Sequence, residues 1–477
     1  MNVLIGYVVA YGYLLFVFIA AFVVSRILKN NEISRNIIHI AAGMGWNFFK
    51  IYFPASIHTI IISSSLVFVT ILTITKKVKF IERNDRSYGT LYYTIMMLFM
   101  SILSYKNEML FNVFGISIMC LSCGDAFANI IGSRFGSIKI YKEKSLQGMI
   151  ACLFICITVI TTVVNIYGIK LDISSIVILS LLCAITELFS GRFDNISIPS
   201  VLYCFGYILI TYGLNQELLI SLFVGAGMFI FALKLKLLNI YASYMLFCFI
   251  TILFYFGGLR AFISLIMIFS IIIFIEKIYG CKINRITKLI NKEFGKRNGI
   301  QLMANCLAAV LTICLYGITK NEVFLLAYFA SIAETVGDSA ASDIGVLSQG
   351  QPFDICSFKK IQKGISGGVS VLGTAAGLSV CIFAGISYVL IYKGSVINSL
   401  IIILVSFFGI ILDSILGSVI QVQYQCKVCG KITEKTWHCQ KATLYVKGFQ
   451  CVDNSIVNLI CNFFSCILTG VVFLLMR

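Results

Sequence analysis

Three aspartates stand in strongly apolar surroundings: Asp125 follows MCLSC, Asp338 follows AYFASIAETV, and Asp413 interrupts VSFFGIILDSILG. A carboxylate at the centre of a bilayer costs roughly 2.5–3.5 kcal/mol, less near an interface, so each needs a partner or a task. An ion pair with a nearby Lys or Arg that holds helices together is one explanation. Convergence is the other. Asp125, Lys144, Glu187, Asp194 and Asn195 fall at span ends on one side, and so do Glu334, Asp338, Lys363, Asp413, Asp453 and Asn454. Carboxylates with Asn offer hard oxygen ligands to Mg²⁺. Lys beside Gly-rich backbone offers charge and close-approach amides to phosphate oxygens. Together these are the equipment of phosphoryl transfer.

The candidates come in two sets of the same order. GDAFANIIG (Gly124 to Gly132) and GDSAASDIG (Gly337 to Gly345) share five of nine positions. Each is followed by Lys, Ser and Gly, as KSLQG from Lys144 and KGISGG from Lys363, and later by an Asp-Asn pair, Asp194-Asn195 and Asp453-Asn454. Upstream stand polar pairs at helical i, i+4 spacing, Arg35 with His39 and Arg297 with Gln301. Four elements in one order point to a duplication, with its seam at about residue 215. His39 alone is explained as a capping, snorkelling group or as a phosphate contact. Arg297, Gln301 and Asn305 line one helix face, turned either to a site or to a polar helix contact.

Cys426, Cys429, His438 and Cys439 form C-x2-C-x8-H-C in a polar loop, with ligand types suited to Zn²⁺. Adjacent His and Cys seldom both bind one ion, and in a chain with 18 Cys four unrelated residues explain the pattern equally well. The P-loop, G-x-G-x-x-G, H-E-x-x-H and G-x-S-x-G motifs are absent, and three histidines are too few for a His-rich metal site.

The elements that must position these groups are membrane helices. The 477 residues are 59% hydrophobic and 12% charged, with 3 Pro and a mean hydropathy of +0.97, which excludes an ordinary soluble protein. Apolar runs such as 3–24, 56–74, 148–168, 261–275 and 396–412 are continuous, unlike the alternation of a barrel strand. The expected fold is an all-α, polytopic helical membrane protein of about fourteen to sixteen spans, in two tandem bundles, 1–215 and 216–477. The first run, followed by Arg26 and Lys29, is expected to be a retained anchor and not a cleaved signal. The net charge of +17 is a loop property and no sign of nucleic acid: with the N-terminus outside, alternate loops hold 30 of the 37 Lys and Arg. The positive-inside bias puts those loops, and both sets of candidates, in the cytoplasm, the membrane being the plasma membrane. Most cysteines lie in apolar spans as small hydrophobes, so no disulfide framework is implied.

The first half resembles the polyprenol kinases, which include phytol, farnesol and dolichol kinases, over roughly residues 20–212. RNIIH (35–39), YGTLYY (88–93), GDAFANIIGSRFG (124–136), KSLQG (144–148) and ELFSGRFDNISIP (187–199) carry the resemblance. Asn36 and Gln147 depart from the Lys and Glu usual there. The second half is similar to the phytyl phosphate kinase family, which includes uncharacterised integral membrane proteins, over roughly 217–475. KRNGIQLMAN (296–305), ETVGDSAASDIGVLS (334–348), KGISGGVSVLGT (363–374), DSILG (413–417) and DNSIVN (453–458) carry it, with Asp343 in place of the usual Glu.

These resemblances imply consecutive reactions, in which CTP or ATP phosphorylates an isoprenoid alcohol and then the isoprenyl monophosphate, with Mg²⁺. Asp125, Lys144 and Asp194, and Asp338, Lys363, Asp413 and Asp453, are the implied catalytic residues, the aspartates also holding the metal. Arg35, His39, Gly124, Ser145, Gly148, Glu187 and Asn195 are the implied binding residues of the first half. Arg297, Gln301, Asn305, Glu334, Ser342, Asp343, Ser366, Gly367, Gly368, Asn454 and Asn458 are those of the second. From the residues alone, a transporter of an anionic lipid or metabolite and a CTP-dependent cytidylyltransferase are the alternatives.

Overall fold

The computed structural model describes residues 3–28, 31–75, 88–289 and 299–476. The chain divides into two compact units, Met1–Gln216 and Glu217–Arg477. In the first, α1 (Val3–Leu28), α2 (Asn31–Met44), α3 (Trp46–Tyr52), α4 (Ile57–Thr75) and α5 (Gly89–Leu103) precede α6 (Glu108–Phe135), α7 (Leu146–Tyr167), α8 (Ile173–Ser190) and α9 (Asp194–Tyr212). In the second, α10 (Gln216–Lys234), which starts at the boundary, and α11 (Ile240–Leu289) precede α12 (Gly299–Thr319), α13 (Glu322–Gly345), α14 (Val371–Tyr392), α15 (Val396–Val419) and α16 (Asn454–Leu475).

Among the described residues, thirteen helices are long and apolar enough to cross a membrane. One of them is two crossings. Gly258 breaks α11 with φ 67°, and the rings of Phe254 and Phe262 lie 5.7 Å apart, where a straight helix would separate residues eight apart by about 12 Å. The arm 240–257 is thus about 27 Å long. With the 15-residue apolar α5, the count agrees with the number of spans expected, and the chain is an all-α polytopic membrane protein.

Each unit is built around one helix that is apolar nearly all round and therefore buried. In the first it is α6, packed against α2, α7 and α9; in the second it is α13, packed against α12, α14 and α16. The outer helices expose large apolar side chains such as Phe16, Phe68, Phe154, Phe223 and Leu475, a surface suited to lipid because every backbone group is satisfied within its own helix. The little β-structure is in the polar loops. β1 (Lys139–Tyr141) pairs with β2 (Lys144–Ser145) just before α7, and β3 (Phe353–Asp354) with β4 (Gly368–Val369) just before α14. Between α15 and α16, β5 (Gln423–Gln425) is flanked by β6 (Ile432–Thr433) and β9 (Leu444–Lys447), and β7 (Trp437–His438) pairs with β8 (Lys441–Ala442).

Candidate functional site

In the first unit the polar groups meet around Asp125, in the middle of α6. Asp125 Oδ1 accepts from Asn129 Nδ2 at 3.0 Å, one turn on. The β1–β2 hairpin brings in Lys144, whose ammonium lies 4.0 Å from Asp125 Oδ1 and donates to Glu187 Oε1. Glu187 is 1% exposed. Burial opposes the charge on Lys144, but Asp125, Glu187 and Asp194 outweigh it and raise its pKa, so it stays an ammonium. Asp194 opens α9 and accepts from the Asn195 backbone N–H at 2.8 Å. Asn195 Oδ1 in turn lies 2.9 Å from His39 Nε2. Pro199 inside α9 has no N–H to give the Asn195 carbonyl one turn back. Arg35 is one turn before His39 on α2 and half-buried.

In the second unit the selected residues line an open cavity of about 830 Å³. Gln301, Asn305, Asp338, Ser342, Asp343, Lys363, Ser366, Gly367, Gly368, Asp413, Asn454 and Asn458 all face it. With its amide turned to suit its neighbours, Asn458 donates to Asn454 O at 2.8 Å and to Asp413 Oδ2 at 3.3 Å, and its other terminal atom sits 3.0 Å from the Asn305 amide. Glu334, one turn before Asp338, is buried, and its Oε2 makes no hydrogen bond. A carboxylate oxygen of Glu334, one of Asp413 and Cys461 Sγ lie within 4.8 Å of one another. Lys363 donates to the carbonyls of Val346 (3.1 Å) and Ser348 (2.5 Å).

Three expected residues are not in this lining, the buried Glu334 among them. Asp453 is the N-cap of α16, accepting from Ile456 N at 3.0 Å, so α16 contributes Asn454 and Asn458 instead. Arg297 lies outside the described residues.

The structure also corrects the roles of several glycines and the register of the repeat. Gly124 is in mid-helix, where a Cβ would come within 3.0 Å of the sulfurs of Cys152 and Cys156; it permits close packing of helices, and its amide is used within α6. Ser145 caps α7 and accepts from Gly148 N at 3.2 Å. The matching residue is Ser370 and not Ser366: Ser370 caps α14 and accepts from Gly373 N at 3.2 Å. The surroundings agree. A Cβ on Gly148 would meet Ala128 O at 2.8 Å and Gly132 Cα at 3.3 Å, and one on Gly373 would meet Ala341 O at 2.6 Å and Gly345 Cα at 3.1 Å. The position before the cap is Lys144 in one unit and Val369 in the other, so Lys363 comes from an extra loop with no counterpart in KSLQG. The i, i+3 spacing of Ser and Gly, common to both halves, was the signal that would have found this register.

That extra loop is held by Asp354, which sequence reasoning missed. It accepts from Ser418 Oγ (2.6 Å), Ser357 N (2.8 Å) and Cys356 N (3.1 Å). Burial works against its charge, but these donors hold its pKa at about 2. Gly367, at φ 85°, lies so close to Ser418 that a Cβ would meet it at 2.6 Å. Ser366 Oγ donates to Glu434 Oε1 at 2.6 Å, which ties the loop to the one between α15 and α16. There Cys426, Cys429, His438 and Cys439 come together, with ligand atoms within 4.8 Å of one another.

Residues 223–466, just over half of the chain, match the family described as integral membrane protein DUF92. The chain belongs to the DUF92 family. Among curated relatives, Protein PGR of Arabidopsis thaliana is 29% identical over 205 residues, covering 38% of this chain and 70% of that protein. An uncharacterized membrane protein of Methanocaldococcus jannaschii is 28% identical over 127 residues, covering 27% of this chain and 51% of that protein. No solved structure matches the chain. The family match covers the cavity of the second unit and the whole Cys-His loop.

Proposed function

We propose that the chain holds two phosphotransferases in series: the first unit phosphorylates an isoprenoid alcohol and the second phosphorylates the resulting monophosphate, with CTP or ATP as donor. The observation that carries this is the lining of the 830 Å³ cavity, where carboxylates and amides from separate helices face a Gly-bounded lysine loop. The convergence of Asp125, Lys144, Glu187 and Asp194 supports the same chemistry in the first unit.

The oxygen donors fit Mg²⁺, a hard cation. Asp125, Asp194 and Asn195 would hold it in one unit, and Asp338, Asp413 and Asn454 in the other. When bound, it would neutralise phosphate charge. Lys144 and Lys363 hold phosphate oxygens, and Arg35 and Arg297 neutralise the transferred group or the acceptor phosphate. In the first step the alcohol oxygen bonds to the γ-phosphorus and the bond to the β–γ bridging oxygen breaks. The nucleoside diphosphate leaves, and the hydroxyl proton passes to a carboxylate of the Asp125, Glu187 and Asp194 set. In the second step an oxygen of the monophosphate attacks in the same way. The substrate reaches the site from the bilayer, since each buried CH₂ of its tail contributes about 0.8 kcal/mol. The positive-inside bias of the basic loops supports a cytoplasmic position for both sites, where nucleotide is found.

The test is purified protein with farnesol or phytol and labelled CTP or ATP. Lipid-dependent CDP or ADP is expected, and pyrophosphate instead would turn the assignment to a cytidylyltransferase. Asp125→Asn should slow the alcohol step, and Asp338→Asn the monophosphate step, each by about 10²–10³-fold. If either change stopped both steps in folded protein, the two-site proposal would fail.

A further inference from the structure

The loop between α15 and α16 carries a second kind of chemistry. We propose that Cys426, Cys429, His438 and Cys439 bind a Zn²⁺ ion that fastens this loop against the cavity of the second unit. His438 Nδ1 lies 3.5 Å from Cys429 Sγ and 3.3 Å from Cys439 Sγ. A tetrahedral ion with Zn–S of about 2.3 Å and Zn–N of about 2.0–2.1 Å sets N···S separations of roughly 3.5 Å. Hydrogen bonds do not explain the arrangement as well, because a neutral imidazole nitrogen has one lone pair and accepts from one thiol, not two. Cys426 Sγ completes the group and receives the Val428 N–H at 3.4 Å, a donor suited to a thiolate.

The backbone is bent to make the fit. Gly430, at φ 69°, turns the chain so that its N–H meets Cys426 O at 3.0 Å, while Cys426 N meets Lys431 O at 2.9 Å. The β7–β8 hairpin turns through Cys439 and Gln440 at φ 49° and 58°, left-handed values usually left to Gly or Asn. That turn lets adjacent His438 and Cys439 face one point, and a bond from Cys439 to the ion offsets its cost.

The ion would close a loop whose interior residues, Lys431, Glu434 and Lys435, line the cavity, with Glu434 accepting from Ser366. The placement of these residues over bound phosphates rests on the phosphotransferase proposal; the binding of zinc does not.

Full-length protein purified reduced in detergent should contain one zinc per chain by elemental analysis. Exchange for Co²⁺ should give the absorption of a tetrahedral ion with thiolate charge-transfer bands. Cys429→Ser and His438→Ala should lose the metal, while the Co²⁺ spectrum of the unaltered protein tests the site independently of how those variants fold. Metal removal should speed trypsin cleavage after Lys431 or Lys435 at least about tenfold, the change that loss of roughly 1.4 kcal/mol of loop closure gives. Reduced protein that neither contains nor takes up zinc, a disulfide among these cysteines in the protein as isolated, or variants that keep the metal would overturn the site. Unchanged cleavage would overturn the fastening. Kinase activity without zinc would refute this inference alone, and zinc without kinase activity would refute the phosphotransferase proposal alone.

Discussion

The two units share a frame and differ in how charge is wired into it. In both, a buried central helix carries a Gly-Asp pair, meets a serine-capped neighbour through two touching glycines, and packs against a helix that starts at an Asp-Asn pair. In the first unit the lysine of the connecting hairpin is bonded to carboxylate and lies against the Gly-Asp aspartate. In the second, Lys363 arrives from a longer loop and is bonded to two backbone carbonyls. The difference teaches that glycine and cap positions are set by how closely helices must approach, whereas the cation can be supplied from either of two loops.

The largest effect that would sharpen this contrast is on Lys144. Lys144→Met removes the cation from Glu187 and Asp125, and breaking such a buried pair costs about 3–5 kcal/mol. Lys363→Met leaves only two carbonyls to be solvated, at about 1 kcal/mol. The chain has two tryptophans, Trp46 fully buried in the first unit and Trp437 exposed in the second. Melting of the first unit, followed by Trp46 fluorescence in a Trp437→Phe background, should therefore fall steeply for Lys144→Met, while melting of the second unit, followed by Trp437 fluorescence in a Trp46→Phe background, should hardly move for Lys363→Met. Adding Glu187→Gln should restore part of the Lys144→Met loss. Equal losses from the two lysines would break the comparison.

A middle-sized effect tests the shared frame. Gly148→Ala and Gly373→Ala each drive a Cβ into backbone, at 2.8 Å from Ala128 O and 2.6 Å from Ala341 O, and overpacking of this kind costs about 1–3 kcal/mol. Gly368→Ala meets Ile361 Cδ1 and Ile365 O at 3.1 Å and should cost less than about 1 kcal/mol, because the Ile361 side chain and its loop can yield. Denaturation in mixed micelles measures all three. If Gly368 proved the more sensitive, KGISGG would be the true counterpart of KSLQG after all.

The class of fold was legible because a membrane imposes a length: runs of about 20 apolar residues cannot be hidden in a sequence. The break in α11 was partly legible, since Gly257, Gly258 and Arg260 interrupt an apolar stretch, but its sharpness depends on the φ of Gly258 alone. The cavity was largely legible, because polar residues with no place facing lipid must face one another. The cap made by Asp453 was not legible, because an Asp before a helix looks the same whether it caps or binds. The register is not legible from the lysines, because the packing is decided by Ser370 and Gly373. The Cys-His group was hidden by its turn: nothing in the types of Cys439 and Gln440 announces left-handed backbone, so the adjacency of His438 and Cys439 counted against a shared ion when the hairpin in fact brings them together.

The smallest effect is on the caps. Ser145→Ala and Ser370→Ala each remove an acceptor from a first-turn N–H, of Gly148 and of Gly373, and such losses cost about 1 kcal/mol. In each unit the serine oxygen also packs against the glycine of the central helix, where a Cβ on Gly132 or Gly345 would meet it at 3.1 Å or 3.2 Å. The two substitutions should therefore give the same loss within about 0.5 kcal/mol, while Ser366→Ala, which loses only the bond to Glu434 on the surface loop, should leave the melting of α14 untouched. A Ser145 loss matched by Ser366 and not by Ser370 would separate the two frames. Matched losses at Ser145 and Ser370, beside unequal losses at Lys144 and Lys363, would fix the division: packing repeats between the units, and the source of the cation does not.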